Sequence, residues 1–280
     1  MDNHLIIDPK IEKEKIINFL KKTFKEQKNN KVVLGLSGGI DSTTALYLLR
    51  EVLPAKNIFA VQMDYKPRNK MEIDLKGINV INIPTKKIVD QFNNLIGSIP
   101  KFFDGKPQTA KNLVSSPFGK EETNVFFSLS RGANKKIRLG NIMARVRMII
   151  LFDLAKQING LVCGTENKSE KLLGYFTRFG DSASDIEPLS HLYKTQIYQL
   201  AKYLKVPKKI INQSPTAGLW DGQTDEDDFG FTYKEADQVL YLMNDRSGDI
   251  MKIKNKFPNA GKIIKRFQDN KFKSETPYSL

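Results

Sequence analysis

The chain has 280 residues, 40% of them apolar and 10% aromatic, which is enough to fill a core in one large domain or two small ones. Its formal net charge is +14, but the lysines are scattered rather than massed beside aromatics, so charge alone does not make nucleic acid the partner. No run of about 18 apolar residues offers a membrane span, the acids in "MDNHLIIDPKIEKEK" argue against a signal peptide, and a single cysteine, Cys163, excludes an intrachain disulfide or a cysteine-rich zinc cluster, so a cytoplasmic protein is expected.

Ile11, Ile16, Phe19, Leu20 and Phe24 recur at helical spacing and predict an amphipathic helix over 11–27. "KVVLGL" (31–36) reads as a short buried strand. Ala45, Leu48, Leu49 and Val52 form one side of a helix over 41–53, stopped by Pro54. "IFAVQM" (58–63) and "NVINI" (79–83) are the next two strands, and a helix follows from Thr85 to Ile96. Residues 97–138 break the rhythm: glycines, prolines and serines without a period mark a lid, an insertion or a loop. A long helix then covers 141–158, with Ile142, Val146, Ile149, Ile150 and Leu154 as its stripe, and "GLVCGT" (160–165) is another buried strand. Pro188 precedes a helix ending near Leu204. In "TYKE" (232–235), Thr232 and Glu235 have the spacing of a capping box, opening a helix to about Met243, and two short helices close the chain. The alternation predicts an α/β fold: an open parallel sheet flanked by helices on both faces, in Rossmann-like layers, forming one domain over 1–280.

"LGLSGGIDS" (34–42) joins the first strand to the second helix. Unpaired N–H groups at a helix N-terminus carry partial positive charge and suit an anion. Gly38 and Gly39 let the backbone approach a phosphate with no Cβ in the way, and Ser37 and Ser42 add hydroxyl donors. The stretch is neither a Walker A loop, because the G-K-[ST] ending is absent, nor G-x-G-x-x-G. Asp41 is the informative residue. A carboxylate facing phosphates is repelled unless a cation lies between them, and Mg2+ binds through one or two carboxylates plus phosphate oxygens. The plainer alternative makes Asp41 and Ser42 helix caps.

"SGGIDS" (37–42) resembles the PP-loop of the ATP pyrophosphatases, which split ATP into AMP and pyrophosphate while adenylating an acceptor. Three later stretches bear on the acceptor: "GNIMARVRM" (140–148), "GTENKSEKLLGYFTRFGDSASDIEPLSHLYKTQ" (164–196) and "SPTAGLWDGQTDEDDFGFTY" (214–233). With the loop, they resemble the ammonia-dependent NAD synthetases from about residue 10 to 275, a family with the adenine nucleotide alpha hydrolase-like fold. The resemblance implies ATP at Gly35, Leu36, Ser37, Gly38, Gly39, Ile40, Asp41, Ser42, Thr165, Lys194 and Thr216. It implies Mg2+ on Asp41 and Glu170, and deamido-NAD against Arg145, Arg178, Asp185 and Lys273, with Asp41 and Lys194 catalytic.

Some of these residues also carry a physical reading. Arg145 and Arg147 are two apart on a helix, so at most one faces a given ligand; the resemblance selects Arg145. "CGTENKSE" (163–170) follows a buried strand and so lies at the carboxyl end of the sheet, where ligands of open α/β sheets bind. Glu166 rivals Glu170 there on spacing, a surface acid beside Lys168 and Lys171 is the plain alternative for Glu170, and the resemblance ranks Glu170 first. Tyr175 and Phe176 suit either core or pocket wall. Arg178 stands where the family often has Lys, and Phe272 where His is common, which weakens a hydrogen-bond role at 272. Segment 97–138 is longer than the family's usual link.

The implied reaction has two steps: the nicotinate carboxylate attacks the α-phosphorus of ATP, and ammonia then displaces AMP. Neither step needs a side-chain nucleophile, so His4 and His191 are read as incidental. A glutaminase needs an activated nucleophile, often Cys; Cys163 sits in an apolar strand, where a thiol is inert, so free ammonia is the expected donor. The resemblance also implies a homodimer, with neither nucleic acid nor membrane as partner. A tRNA-modifying ATP pyrophosphatase and a non-catalytic ATP-binding protein are the competing readings.

Overall fold

The computed structural model describes residues 3–65, 72–97, 135–216, 218 and 222–277. Four parallel strands, β1 (Val32–Gly35), β2 (Ile58–Gln62), β3 (Asn79–Asn82) and β4 (Leu161–Cys163), form one sheet in the order β3-β2-β1-β4. Val32 lies opposite both Ile58 and Leu161, and Ala60 opposite Val80. The chain steps outward from β1 to β3, then returns to the other side of β1 with β4. The strand order therefore reverses between β1 and β4, and the crevice at their carboxyl ends is the natural ligand position of such a sheet.

Both faces of the sheet are covered, which is why the strands read as unbroken apolar runs. Val32 and Leu34 point into a layer built from α1 (Pro9–Glu26), α2 (Ile40–Arg50) and α6 (Lys194–Tyr203), through Leu20, Leu48, Ile197 and Leu200. Val33 and Val162 point the other way, against Ala155 and Leu151 of α4 (Lys135–Ile158). Gly35 lets α4 close on β1: a Cβ there would stand 3.4 Å from Leu151 Cδ1. On the same side α3 (Lys86–Gly97) packs Val89 against Met143 and Val146 of α4.

A second apolar cluster lies toward the C-terminus. Leu173 of α5 (Lys168–Leu173), Phe229 of α8 (Asp225–Phe229), Val239 and Leu240 of α9 (Tyr233–Leu240), Ile253 of α10 (Ile250–Lys256) and Ile263 of α11 (Ala260–Asn270) meet there. A short helix, α7 (Lys208–Ile211), follows α6 and puts Ile210 into the first core. No helix among the described residues is long and apolar enough to cross a membrane.

Several boundaries differ from the sequence reading, each for a local reason. The long helix begins at Lys135, so 135–138 is helical rather than part of a loop; Lys136, Ile137 and Arg138 are exposed, and a turn with no buried face leaves no periodic signal. Most of the segment expected as an insertion lies outside the described residues. The helix after Pro188 starts only at Lys194, because Leu189 and Leu192 are buried in a turn closed by the Leu192 amide on the Leu189 carbonyl at 2.9 Å. The capping box at 232–235 is half formed. Thr232 accepts from the Glu235 amide at 3.3 Å, but the Glu235 carboxylate instead takes the amide and side chain of Asn259, at 2.7 and 2.8 Å, and holds the start of α11. The helix that Thr232 opens, α9, ends at Leu240 and passes into a π-helical turn over Tyr241–Asp245.

Candidate active site

The turn after β1 is shaped for close approach. Gly38 has φ +78°, a left-handed conformation that favours glycine. Gly39 precedes α2; its amide donates to Ser37 Oγ at 3.2 Å and its carbonyl accepts from Thr43 Oγ1 at 2.8 Å. The hydroxyls of Ser37 and Ser42 lie 3.0 Å apart. Asp41 falls in the first turn of α2, at the positive end of the helix dipole, but its carboxylate does not cap that helix.

It is drawn instead toward Lys194, the first residue of α6, whose side chain is only 2% exposed. Lys194 Nζ donates to Asp41 Oδ2 at 2.7 Å and to Glu170 Oε1 at 2.9 Å. The two acids paired by resemblance therefore share one ammonium. Asn167 stitches them further: its Nδ2 donates to Asp41 Oδ1 at 3.0 Å, and its Oδ1 accepts from the Glu170 amide at 3.0 Å. With the Asn167 amide donating to Glu170 Oε2 at 3.3 Å, this is a complete capping box opening α5.

Burial pushes the Glu170 carboxyl up to about 7, with Lys194 opposing and Asp41 adding to the rise. Burial disfavours the Lys194 charge, yet Asp41, Glu170 and Asp225 outweigh it and its pKa is raised. Lys194 is thus a fixed cation between two carboxyl groups. Its backbone is fixed as well: its amide donates to Ser169 Oγ at 2.8 Å, that hydroxyl donates to Asp237 Oδ1 at 2.5 Å, and Asp237 Oδ2 accepts from the Thr195 amide at 2.8 Å. Burial lifts the Asp237 carboxyl to about 6 against these hydrogen bonds. Neither Ser169 nor Asp237 was found from sequence; a buried acid in mid-helix carries no motif.

Ser37, Gly39, Ile40, Asp41, Glu170, Lys194 and Thr216 line one cavity, joined by Arg147, Asp181 and Asp225. Asp225 was also missed: it is buried, its Oδ2 accepts from the Tyr233 hydroxyl at 3.0 Å, and its Oδ1 is buried without a hydrogen-bond partner. Gly35 ends β1, Leu36 and Gly38 belong to the turn that follows, Ser42 is in the first turn of α2, and Thr165 lies just past the end of β4. Thr216 Oγ1 accepts from the Gly218 amide at 3.0 Å.

The residues expected at the acceptor form a separate group around 174–185. Arg145 donates Nε and Nη2 to the Arg178 carbonyl, both at 3.3 Å. The Arg178 guanidinium lies 5.2 Å over the ring of Phe272, so the aromatic at 272 takes a stacking role. Lys273 Nζ donates to the carbonyls of Gly174 and Phe176 at 2.6 and 3.2 Å. Asp185 Oδ2 accepts from the Val162 amide at 2.7 Å, holding its loop on β4.

Glu166, unlike Glu170, does not line the cavity. Its carboxyl is pushed up to about 8, first by burial and then by Glu187, itself pushed up by burial to about 7. The Cys163 thiol is buried and pushed well above its ordinary value by burial, which leaves it protonated and unreactive.

Among the described residues no three of His, Cys, Asp and Glu converge as a metal cage. Two hard carboxylates within reach of one small cation do converge. That donor set fits Mg2+, which binds through one or two carboxylates and completes its shell with waters and phosphate oxygens.

A glycine turn at the switch point of an open parallel sheet, with acids and a buried lysine opposite it, places the chain in the class of α/β enzymes that handle nucleotide phosphates. The sequence narrows the class: the NAD synthase family model matches residues 12–277, and the chain belongs to that family, whose members are ligases forming a C–N bond. It is 37% identical to an NH3-dependent NAD synthetase of Fusobacterium nucleatum, over 98% of this chain and 97% of that one. It is 40% identical to the protein of the same description from Thermococcus kodakarensis, over 83% and 80% of the two chains. Among solved structures, the NMN synthetase of Francisella tularensis superposes with a TM-score of 0.73 at 29% identity, over 98% of this chain and 99% of that one. The NH3-dependent NAD synthetase of Campylobacter jejuni superposes with a TM-score of 0.70 at 29% identity, over 98% and 100%.

Proposed function

We propose that the chain is an ammonia-dependent NAD synthetase. It adenylates the nicotinate carboxylate of deamido-NAD with ATP, then amidates it with free ammonia to give NAD, AMP and pyrophosphate. The observation that carries this reading is the Lys194 ammonium held at 2.7 and 2.9 Å between Asp41 and Glu170, beside the glycine turn. The descriptions of the relatives from F. nucleatum, T. kodakarensis and C. jejuni support the same assignment.

In the first step a carboxylate oxygen forms a bond to the α-phosphorus, the bond to the β-phosphate bridge breaks, and the electron pair leaves with pyrophosphate. Such transfer needs positioning and charge neutralisation more than covalent catalysis. The amides around Gly38 and Gly39 and the hydroxyls of Ser37 and Ser42 hold phosphate oxygens, and Lys194 presents a permanent positive charge to the leaving group. Asp41 and Glu170 would hold Mg2+, which would supply neutralisation of phosphate charge when bound. Arg145, Arg178, Asp185 and Lys273 form the acceptor side, with Lys273 acting through the loop carbonyls it binds. In the second step ammonia attacks the acyl carbon and AMP departs; no residue of the chain serves as nucleophile. The enzyme works as a cytoplasmic homodimer.

The test is pyrophosphate release with Mg2+, ATP, ammonium and either deamido-NAD or nicotinate mononucleotide, the latter because the F. tularensis relative is described as an NMN synthetase. Release with the dinucleotide, lost in a folded Asp41→Asn variant, is expected. Release with the mononucleotide alone moves the acceptor assignment, and release with neither ends the ligase reading.

A further inference from the structure

Spacing could not separate Arg145 from Arg147 on α4; packing does. Arg145 is exposed and turned toward the Arg178 carbonyl. Arg147 is half-buried and lines the cavity with Ser37, Gly39, Asp41 and Lys194. The register of α4 on the sheet explains the difference. Leu151 abuts Gly35, the last residue of β1, at 3.4 Å from the position of a Cβ. Arg147 precedes Leu151 by four residues and so shares its face, one turn away. Because α4 leads into β4, which is parallel to β1, that earlier turn lies past the carboxyl end of β1, over the glycine turn. Arg147 Nε donates at 3.3 Å to the carbonyl of Met63, just beyond β2, which holds the guanidinium at the same edge.

The charge balance gives this placement a purpose. Four carboxylates, Asp41, Glu170, Asp181 and Asp225, line the cavity, and among its described lining residues Lys194 and Arg147 are the two cations. Lys194 is already shared by Asp41 and Glu170. Arg147 in turn lies near Asp181 and opposes the rise of its carboxyl; a triphosphate entering so acidic a cavity draws on both cations, and a planar guanidinium is suited to two parallel hydrogen bonds with phosphate oxygens. We propose that Arg147 is a phosphate-binding residue of this site, taking phosphoryl oxygens of ATP across the glycine turn from Lys194. This rests on the nucleotide-binding part of the function proposed above, but not on the identity of the acceptor.

The experiment is equilibrium binding of Mg-ATP without acceptor, for the wild type and for Arg147→Gln, Arg147→Lys and Arg138→Gln. Arg138 is exposed on the same helix and controls for the change in charge. Arg147→Gln is expected to weaken ATP binding by about tenfold or more, and Arg147→Lys by less, since it keeps the charge but not the planar fork. Arg138→Gln is expected to match the wild type. Wild-type affinity in folded Arg147→Gln, or equal losses in Arg147→Gln and Arg138→Gln, overturns the proposal. Where Arg147→Gln does not fold, unchanged affinity in Arg147→Lys overturns it. A wild type that binds ATP yet yields no NAD removes the proposed reaction while the variants still decide Arg147; one that binds no ATP removes both.

Discussion

Replacing Lys194 with Met keeps a long stem in a 2% exposed position and removes the ammonium that Asp41 and Glu170 share. Two acceptor oxygens then face each other with no counterion. Removing one partner of a buried ion pair costs about 3–5 kcal/mol. At roughly 2 °C per kcal/mol for a chain of this size, the melting temperature should fall by about 6–10 °C. The loss depends on pH. Glu170 is pushed from its ordinary 4.5 to about 7, so below 4.5 it is protonated in both folded and unfolded chains. Between those values only the folded chain keeps the proton, and the stability this provides is lost as pH rises through about 7. Without Lys194, a lowering influence on Glu170 disappears and its pKa climbs further. The variant should therefore lose most above pH 7 and less at pH 6, and Mg2+ should restore part of the loss by supplying a cation. Melting curves at pH 6 and 8.5, with and without Mg2+, measure this. A variant that melts with the wild type at pH 8.5, or falls equally at both values, would falsify the shared-ammonium account.

Three further outcomes are expected. Glu166 and Glu187 are pushed up to about 8 and about 7 by burial, and Glu166 Oε1 and Glu187 Oε2 are buried without hydrogen-bond partners. Each stays protonated when folded after the unfolded chain has ionised, so wild-type stability should fall as pH rises from about 5 to 8; Glu187→Gln should flatten that slope in urea midpoints, by at most about 3 kcal/mol, and an unchanged slope would count against the buried pair. In Gly164→Ala the new methyl carbon would stand 1.8 Å from Glu187 Oε1 and 2.8 Å from Ser184 Cβ. It should cost at least about 1–3 kcal/mol, less when Glu187 is also truncated to Ala; a neutral Gly164→Ala melt refutes the crowding. Cys163→Ser should keep ammonia-driven turnover while losing about 1 kcal/mol of stability, its hydroxyl donating to the Gly164 carbonyl that the thiol meets at 3.3 Å. Lost turnover in folded protein would remove free ammonia as the donor.

The strand pattern and the glycine turn were legible because local chemistry specifies both: apolar runs for a sheet covered on two faces, and Gly38 for a positive φ. Asp41 could be read as an acid facing an anion, but its meeting with Glu170 and Lys194 joins the first turns of three helices far apart in the chain and was available only through resemblance. The capping box at Asn167 and Glu170 did have a local signal, an Asn followed three residues later by Glu; reading Glu170 as a metal ligand hid its second role. At Thr232 the same signal misled, because Asn259 competes for the Glu235 carboxylate. The placement of Arg147 over the turn depends on how Leu151 meets Gly35, a tertiary register that no spacing along one helix contains.

The reactive acids also lie on a seam. The sheet layers and the C-terminal helices have separate apolar clusters, and polar links join them: Asn167 to Asp41, and the Lys194 amide through Ser169 to Asp237 of α9. A small rocking of one body on the other would change the spacing of the two acids before it disturbed either oily interior. Ligand occupancy should therefore register on both sides of the seam, as slower amide exchange in the first turns of α5 and α6.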